Sequence, residues 1–384
     1  MKRLNKVVIV ALAAVMGMSA PLTAHALGPE FARTPEEWSH LRDNVLEYAE
    51  IADLIHEYNV TVQNNQYELN EFKKKYGKTK DDIVKSYRDL ADELEENISG
   101  DDSAMAMVSD MQLELQAKQL RQQADDNLED SHIYYLSYAQ TEDNLVLSAQ
   151  AKFISYYRSQ LELESAKEQK QILENAHAAA VTQQRAGIVT EVAVLSAKEA
   201  ILEQEKTITR LEQEIENTRQ SLIIMLGWKG SDQPEIREIP QVKMDEMMAL
   251  DLNADKQTAL KNNYTLRINQ RKLENAEDAD NKQNIQRTIQ GNERQIGVSV
   301  TNAWNSLQSA KLSYEQTVAD AETAERDMEL TRQKWNAGII TKYAYEQQQV
   351  TLSAKKRAVE TASLSLLEAL ETYRWNVNGL ANAG

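Results

Sequence analysis

The chain has 384 residues, with 43 Lys and Arg against 60 Asp and Glu, a net charge of −17 that leaves no basic face for a nucleic-acid backbone. It has no Cys, which excludes disulfides, Cys-ligated zinc, iron–sulfur clusters, a thiol nucleophile and a lipidated cysteine. Only 12 Gly, 5 Pro and 3 Phe are present, too few turn residues for a sandwich, a barrel or a nucleotide-binding α/β fold.

Residues 1–26 read as a secretory signal peptide. Lys2, Arg3 and Lys6 precede an apolar run from Val7 to Ala14, and Ala24-His25-Ala26 forms a small-x-small exit. The run is shorter than the roughly 20 residues of a spanning anchor. No later stretch is apolar over 18 residues, so an exported chain without a spanning helix is expected.

The prolines are Pro21, Pro29, Pro35, Pro234 and Pro240, which leaves 36–233 and the residues after 240 free to be helical. Both stretches are rich in Ala, Leu, Glu, Gln, Lys and Arg, the strong helix formers. Four segments follow: the signal peptide at 1–26, a first helical hairpin over 27–229, a linker at 230–245 and a second hairpin over 246–384. The first half carries an extra piece near 71–135. There Gly77, a Thr79-to-Asp82 capping pattern and Ser99-Gly100 mark a short helix ending near Asn97. The next helix starts near Asp102 and, if unbroken to Ala186, is on the order of 125 Å long.

The clearest pattern is an internal repeat. Arg185-Ala186-Gly187-Ile188-Val189-Thr190 is matched by Asn336-Ala337-Gly338-Ile339-Ile340-Thr341, 151 residues on. Glycine after a helix takes the left-handed cap conformation without penalty, and Thr190 and Thr341 are placed to cap the following helix. Each motif therefore reads as a tight turn between two long helices. A seam follows each turn. Val194, Ile201, Ile208, Ile215 and Leu222 are spaced by seven. Tyr345, Leu352, Val359, Leu366 and Tyr373 repeat them in the same phase. A seven-residue period makes helices supercoil on a partner. Polar residues such as Gln204, Thr218, Gln348 and Lys355 interrupt the alternate positions, which suits helices set side by side in a larger cylinder. The first post-turn helix, about Glu191 to Leu226, spans roughly 54 Å. Rods of this length cannot bury a core alone, so other subunits are expected to cover them. Tyr58–Val62 and Tyr264–Ile268 extend the repeat upstream.

Catalytic signals are weak. His40, His56, His132 and His177 have no helical ligand spacing, and no nucleophile elbow, Walker or dinucleotide motif occurs. Pairs such as Asp81-Asp82, Glu95-Glu96 and Asp125-Asp126 read as solvated helix faces. Tyr134, Tyr135, Tyr138, Tyr156 and Tyr157 read as inter-helix packing, as do Trp335 and Trp375. The expectation is a non-enzyme without cofactor or metal.

The pattern Gly187, Thr190, Val194, Leu195 and Ala197, closed by Leu226-Gly227, resembles the TolC-type outer membrane efflux proteins. A second copy keeps Gly338, Thr341 and Gly379, with Tyr345, Glu346 and Gln348 where the first has Val, Leu and Ala. Ala259-Leu260-Lys261-Asn262-Asn263 resembles the start of the family's repeat. The resemblance implies an all-α chain of two tandem antiparallel hairpins, three copies forming a hollow 12-helix barrel. It implies a conduit in the outer membrane or periplasm, served by a periplasmic adaptor and an ABC- or proton-driven pump. It places the adaptor-docking tips at Arg185, Ala186, Gly187, Thr190, Ala337, Gly338 and Thr341. Family members often carry an acid six residues after the glycine, where this chain has Ala193 and Ala344. They also insert two membrane strands per half. The nearest candidates here, Ile133–Tyr138 and Ile296–Val300, are too short to span, so little or no β-barrel is expected. The competing reading is a structural coiled-coil envelope protein with no transport role.

Overall fold

The computed structural model describes residues 33–384. The signal-peptide reading lies outside them. A short helix α1 (Pro35–Leu41) starts on a capping box in which Thr34 and Glu37 satisfy each other's backbone N–H groups. It leads to β1 (Val45–Leu46), α2 (Ile51–Tyr58) and α3 (Val60–Tyr76). Then come α4 (Lys80–Glu96), α5 (Ala104–Asp125), α6 (Ser131–Arg185) and α7 (Glu191–Met225). After β2 (Glu235–Ile236) and α8 (Met244–Met248), the second half runs through α9 (Leu252–Asn262), α10 (Tyr264–Asn275), α11 (Ala279–Asn336) and α12 (Lys342–Trp375). The fold is all-α, two tandem antiparallel hairpins, α6–α7 and α11–α12. Among the described residues the strands are β1 and β2 alone, paired in parallel with Val45 opposite Glu235 and Leu46 opposite Ile236. Ile133–Tyr138 lies inside α6 and Ile296–Val300 inside α11, both helical. No helix among the described residues is long and apolar enough to cross a membrane.

One expectation is corrected. The helix entering the first turn does not run unbroken from Asp102. It stops at Asp125 and restarts at Ser131. Asp130 causes the break: its carboxylate accepts from the N–H groups of His132 and Ile133, which caps α6 and takes Asp130 itself out of helical geometry. The residues the first half has and the second lacks become α4 and α5 with their turns. In the second half α10 passes to α11 through Ala276, Glu277 and Asp278 alone. The linker region is also partly ordered, since it contributes β2 and the start of α8.

The halves are built alike. Asn59 ends α2 and starts α3; Asn263 ends α9 and starts α10. Each half has its own core near these junctions. The first centres on Leu46, Ile51, Ile55, Phe153, Leu222 and Leu226, the second on Ile296, Val300, Leu307, Leu366, Leu370 and Tyr373. Ile154, Leu364 and Leu367 join them. At the base of the long hairpins, opposite the turns, Phe72, Tyr76, Tyr87, Tyr134 and Tyr138 form a chain of ring contacts at 4.3–6.5 Å. This cluster seats α4 on α3 and α6.

Candidate functional site at the hairpin tips

The two turns have the same backbone. Gly187 (φ +72°) and Gly338 (φ +70°) sit in the left-handed region that glycine tolerates. The Gly187 N–H donates to the Gln184 carbonyl and that of Ile188 to Gln183, both at 2.9 Å. Gly338 and Ile339 repeat these bonds to Trp335 and Lys334, again at 2.9 Å. These are Schellman caps, which satisfy the last carbonyls of α6 and α11. The caps that start the return helices differ. The Thr341 hydroxyl accepts from the Ala344 N–H at 3.2 Å. Thr190 makes no side-chain cap bond, contrary to the sequence reading, and its carbonyl instead accepts from the Ala193 N–H. Arg185 and Ala186 close α6, and Ala337 closes α11.

Apolar side chains point outward at both tips. Ile188 and Ile339 are each 72% exposed, and Val192, Leu195 and Tyr343 are exposed beside them. At the second tip Trp335 stacks on Tyr345 with centroids 5.7 Å apart. Of these, Val192 and Tyr343 were not singled out in the sequence; their signal is a helix start carrying apolar groups off the heptad seam.

The seam residues face inward. Ile201, Leu222 and Leu366 are buried, while Val194, Ile208, Ile215, Leu352 and Val359 are half-buried. Packing therefore thins toward the tips, where few side chains of any kind are covered.

The helices lie side by side in the order α7, α6, α12, α11, with α6 against α12 at the centre. Polar links fasten that central seam. Arg158 donates to Glu368 at 2.7 Å, Trp375 Nε1 to Gln150 at 2.7 Å, and Arg357 pairs with Glu168 at 2.5 Å. Ser353 also donates to Glu168 at 2.9 Å. The Arg357 hydrogen bond, aided by Ser353, holds the Glu168 carboxyl below its ordinary value. Nearer the base, Tyr264 donates to Asp143 at 2.6 Å. None of these pairs was legible in advance, because partners such as Arg158 and Glu368 are 210 residues apart. The outer edges, α7 and α11, keep Leu202, Leu312 and Leu330 exposed.

Among the described residues no group of three or more His, Asp or Glu could hold a metal ion.

No protein-family model matches the sequence, and no curated protein does. Solved structures match the fold. The CmeC outer membrane channel of Campylobacter jejuni is 8% identical with a TM-score of 0.54, covering 96% of this chain and 95% of its own. A membrane protein from Pseudomonas aeruginosa is 10% identical with a TM-score of 0.55, covering 88% and 92%. The outer membrane protein VceC of Vibrio cholerae is 10% identical with a TM-score of 0.52, covering 86% and 96%. At such identities the likeness is one of fold: this chain has the helical fold of the TolC-type outer membrane channels.

Proposed function

We propose that the chain is one subunit of a TolC-like export conduit in the cell envelope. The observation that carries this reading is the helix order. Four helices form a layer whose two edges, α7 and α11, are unlike each other and keep Leu202, Leu312 and Leu330 exposed. An edge that fits a different edge builds a head-to-tail interface, which gives a ring where its rotation closes and an open filament where it does not. Three copies then give 12 helices around a lumen. The thin packing toward the tips supports the same reading, because those turns of helix need neighbours from other copies.

Both tips of every copy gather at one end of this ring. Six turns, two from each copy and each with an exposed isoleucine, offer a docking surface for a periplasmic adaptor, which links the conduit to an ABC- or proton-driven pump. Export across the inner membrane and residence at the outer membrane or in the periplasm follow from that role.

The test has two arms. Sedimentation velocity of the purified protein is expected to give a trimer, and electron cryomicroscopy a ring of 12 helices around an open or closable passage. A solid rod, or a stable monomer, favours the fibrous envelope protein. Gly187→Val with Gly338→Val is expected to abolish capture of the adaptor, since Val strains the left-handed position. Undiminished capture by that double variant counts against tip docking.

A further inference from the structure

The hairpin α4–α5 is the part of the molecule that the conduit reading leaves unused. It stands off the base, at the opposite end of α6 from the Gly187 turn. Its links to the body sit at its root, where Lys80 pairs with Glu277 and Tyr87 meets the Tyr76 ring. Beyond that root its helices pack on each other through a small core of Ala91, Leu94 and Ala117, with Leu113 and Leu120 beside them. The opposite face of α5 should be polar if water surrounds it. Instead Met105, Met107, Val108, Met111 and Leu115 are each more than half exposed, Met105 by 87%. At 100° per residue they form one stripe along the outer half of the helix, turned away from α4.

Charge decides what covers this stripe. From Asp89 to Lys118 the hairpin carries nine acids and one base, Lys118; Arg121 pairs with two of those acids, Asp92 and Glu95, and leaves the hairpin end strongly acidic. Copies of such a hairpin repel each other, and five side chains on one helix fall short of the roughly 800 Å² per partner of a stable protein interface. An anionic surface is repelled in the same way. A zwitterionic lipid surface is not, because it carries no net charge; its ammonium groups can then pair with Asp101, Asp102 and Glu114 around an apolar interior. Methionine is the side chain that conforms best to an irregular, fluid partner. Two tyrosines on the base are also exposed, Tyr67 at 67% and Tyr135 at 51%, and tyrosine concentrates where one end of a side chain is apolar and the other wet.

We propose that α5 lies on a zwitterionic membrane surface, with Met105, Met107, Val108, Met111 and Leu115 sunk among the acyl chains and the acid-rich α4 turned to water. The hairpin thereby anchors the base of the molecule at the membrane without crossing it. This inference deepens the conduit reading and rests on it for the claim that a membrane lies at the base.

Flotation with phosphatidylethanolamine–phosphatidylcholine vesicles tests it, using the whole protein. The wild type is expected to float, and to float less as phosphatidylglycerol is added. Met111→Gln with Leu115→Gln keeps good helix formers and is expected to weaken vesicle binding at least tenfold while circular dichroism and oligomeric state stay unchanged. Should that pair fail to fold, Leu115→Trp gives a second readout, a blue-shifted emission on vesicle addition. Absence of flotation by the wild type, equal binding by the double variant, stronger binding to anionic vesicles or an unshifted emission from the Leu115→Trp variant each overturns the proposal. Loss of the oligomer in the double variant shows that the stripe packs between copies and overturns it too. The two readings fail separately: a trimer that does not float removes the lipid contact alone, and a floating monomer removes the conduit.

Discussion

Gly227 lies so close to Tyr58 that a Cβ built on the glycine would stand 2.3 Å from the Tyr58 Cβ. Gly379 has the same relation to the equivalent junction, with a built Cβ 3.0 Å from the Tyr264 ring and from the Asn262 carbonyl oxygen. The end of each hairpin is thus seated on the helix junction that opens its own half. Gly227 also has φ +97°, so an added methyl group meets both strain and overlap. Gly187 has a similar φ and open space around it. Gly227→Ala is expected to cost about 3 kcal/mol or more, against about 1–2 kcal/mol for Gly187→Ala. Urea unfolding of both variants at one protein concentration checks this, and equal losses would refute the seating argument.

Asn263 makes the matching prediction on the other side of the contact. It is 1% exposed; its side-chain oxygen accepts from the Leu266 N–H at 3.0 Å, and its amide donates to the carbonyls of Gly379 at 3.2 Å and Ala381 at 2.7 Å. Asn263→Ala removes a helix cap and strands buried carbonyls, a loss of about 2–4 kcal/mol. Asn263→Asp keeps the cap acceptor but has no amide to donate, so it is expected to rescue little of that loss. Recovery of most of the stability by Asp would show that the cap alone matters.

Much of this architecture was visible in the residue pattern because it repeats. The paired glycine turns, the heptad seam and the Tyr58 and Tyr264 segments recur, and a backbone feature that recurs leaves the same mark twice. Thr79 and Asp82 form the capping box their spacing suggested. The break before α6 is hidden in the sequence because Asp126, Asn127 and Asp130 lie in a run of acids that also suits a solvated helix face; only the bonds from His132 and Ile133 reveal Asp130 as a cap. The polar links between α6 and α12 were invisible for a different reason. They join residues brought together by the packing of whole hairpins, and no local period encodes them.

Asp130 also predicts an acid sensitivity. Its side chain is fully buried and bonded to Arg271 at 2.6 Å and Asn275 at 3.2 Å. Burial opposes its charge, but the Ile133 N–H, Asn275 and Arg271 outweigh that, so its pKa falls below the ordinary value. A carboxyl depressed on folding adds stability above its unfolded pKa of about 3.9 and loses it as pH falls through the folded value. Asp130→Asn retains a capping oxygen and loses the charge. It is expected to be about 1.5–3 kcal/mol less stable than wild type at pH 7. The gap should close below about pH 3.9. Melting temperatures of both proteins from pH 7 to pH 2 test this; a gap that persists undiminished in acid would show that Asp130 acts through shape alone.

His56 has the opposite sign. It pairs with Glu142 at 2.7 Å on the exposed flank of α6, and that hydrogen bond raises its pKa against a smaller opposing effect of burial. Its contribution is present in full below the unfolded value of about 6.5 and fades as pH rises through the folded one. The pair is half in water, so the effect is expected to stay under about 1 kcal/mol. His56→Gln should match the wild type at pH 9 and trail it slightly at pH 5.5, and a larger deficit at pH 9 would reverse the assignment.

The edges of the four-helix layer decide whether a ring forms at all. Leu202 on α7 and Leu312 on α11 are 45% and 66% exposed, on opposite margins of one copy. If α7 of one copy meets α11 of the next, each leucine is buried at a subunit contact, and a carboxylate placed there carries a desolvation cost with no partner to offset it. Leu202→Glu and Leu312→Glu are therefore each expected to shift the oligomer toward monomer, although they change different edges. Helicity near the cores should hold, since neither residue belongs to the buried clusters around Leu222 or Leu366. The same substitution at Leu330, 53% exposed on α11 nearer the tip, should act in the same direction. A trimer that survives all three, measured by sedimentation velocity across a hundredfold range of concentration, would mean that these margins face water and that the copies meet elsewhere or not at all.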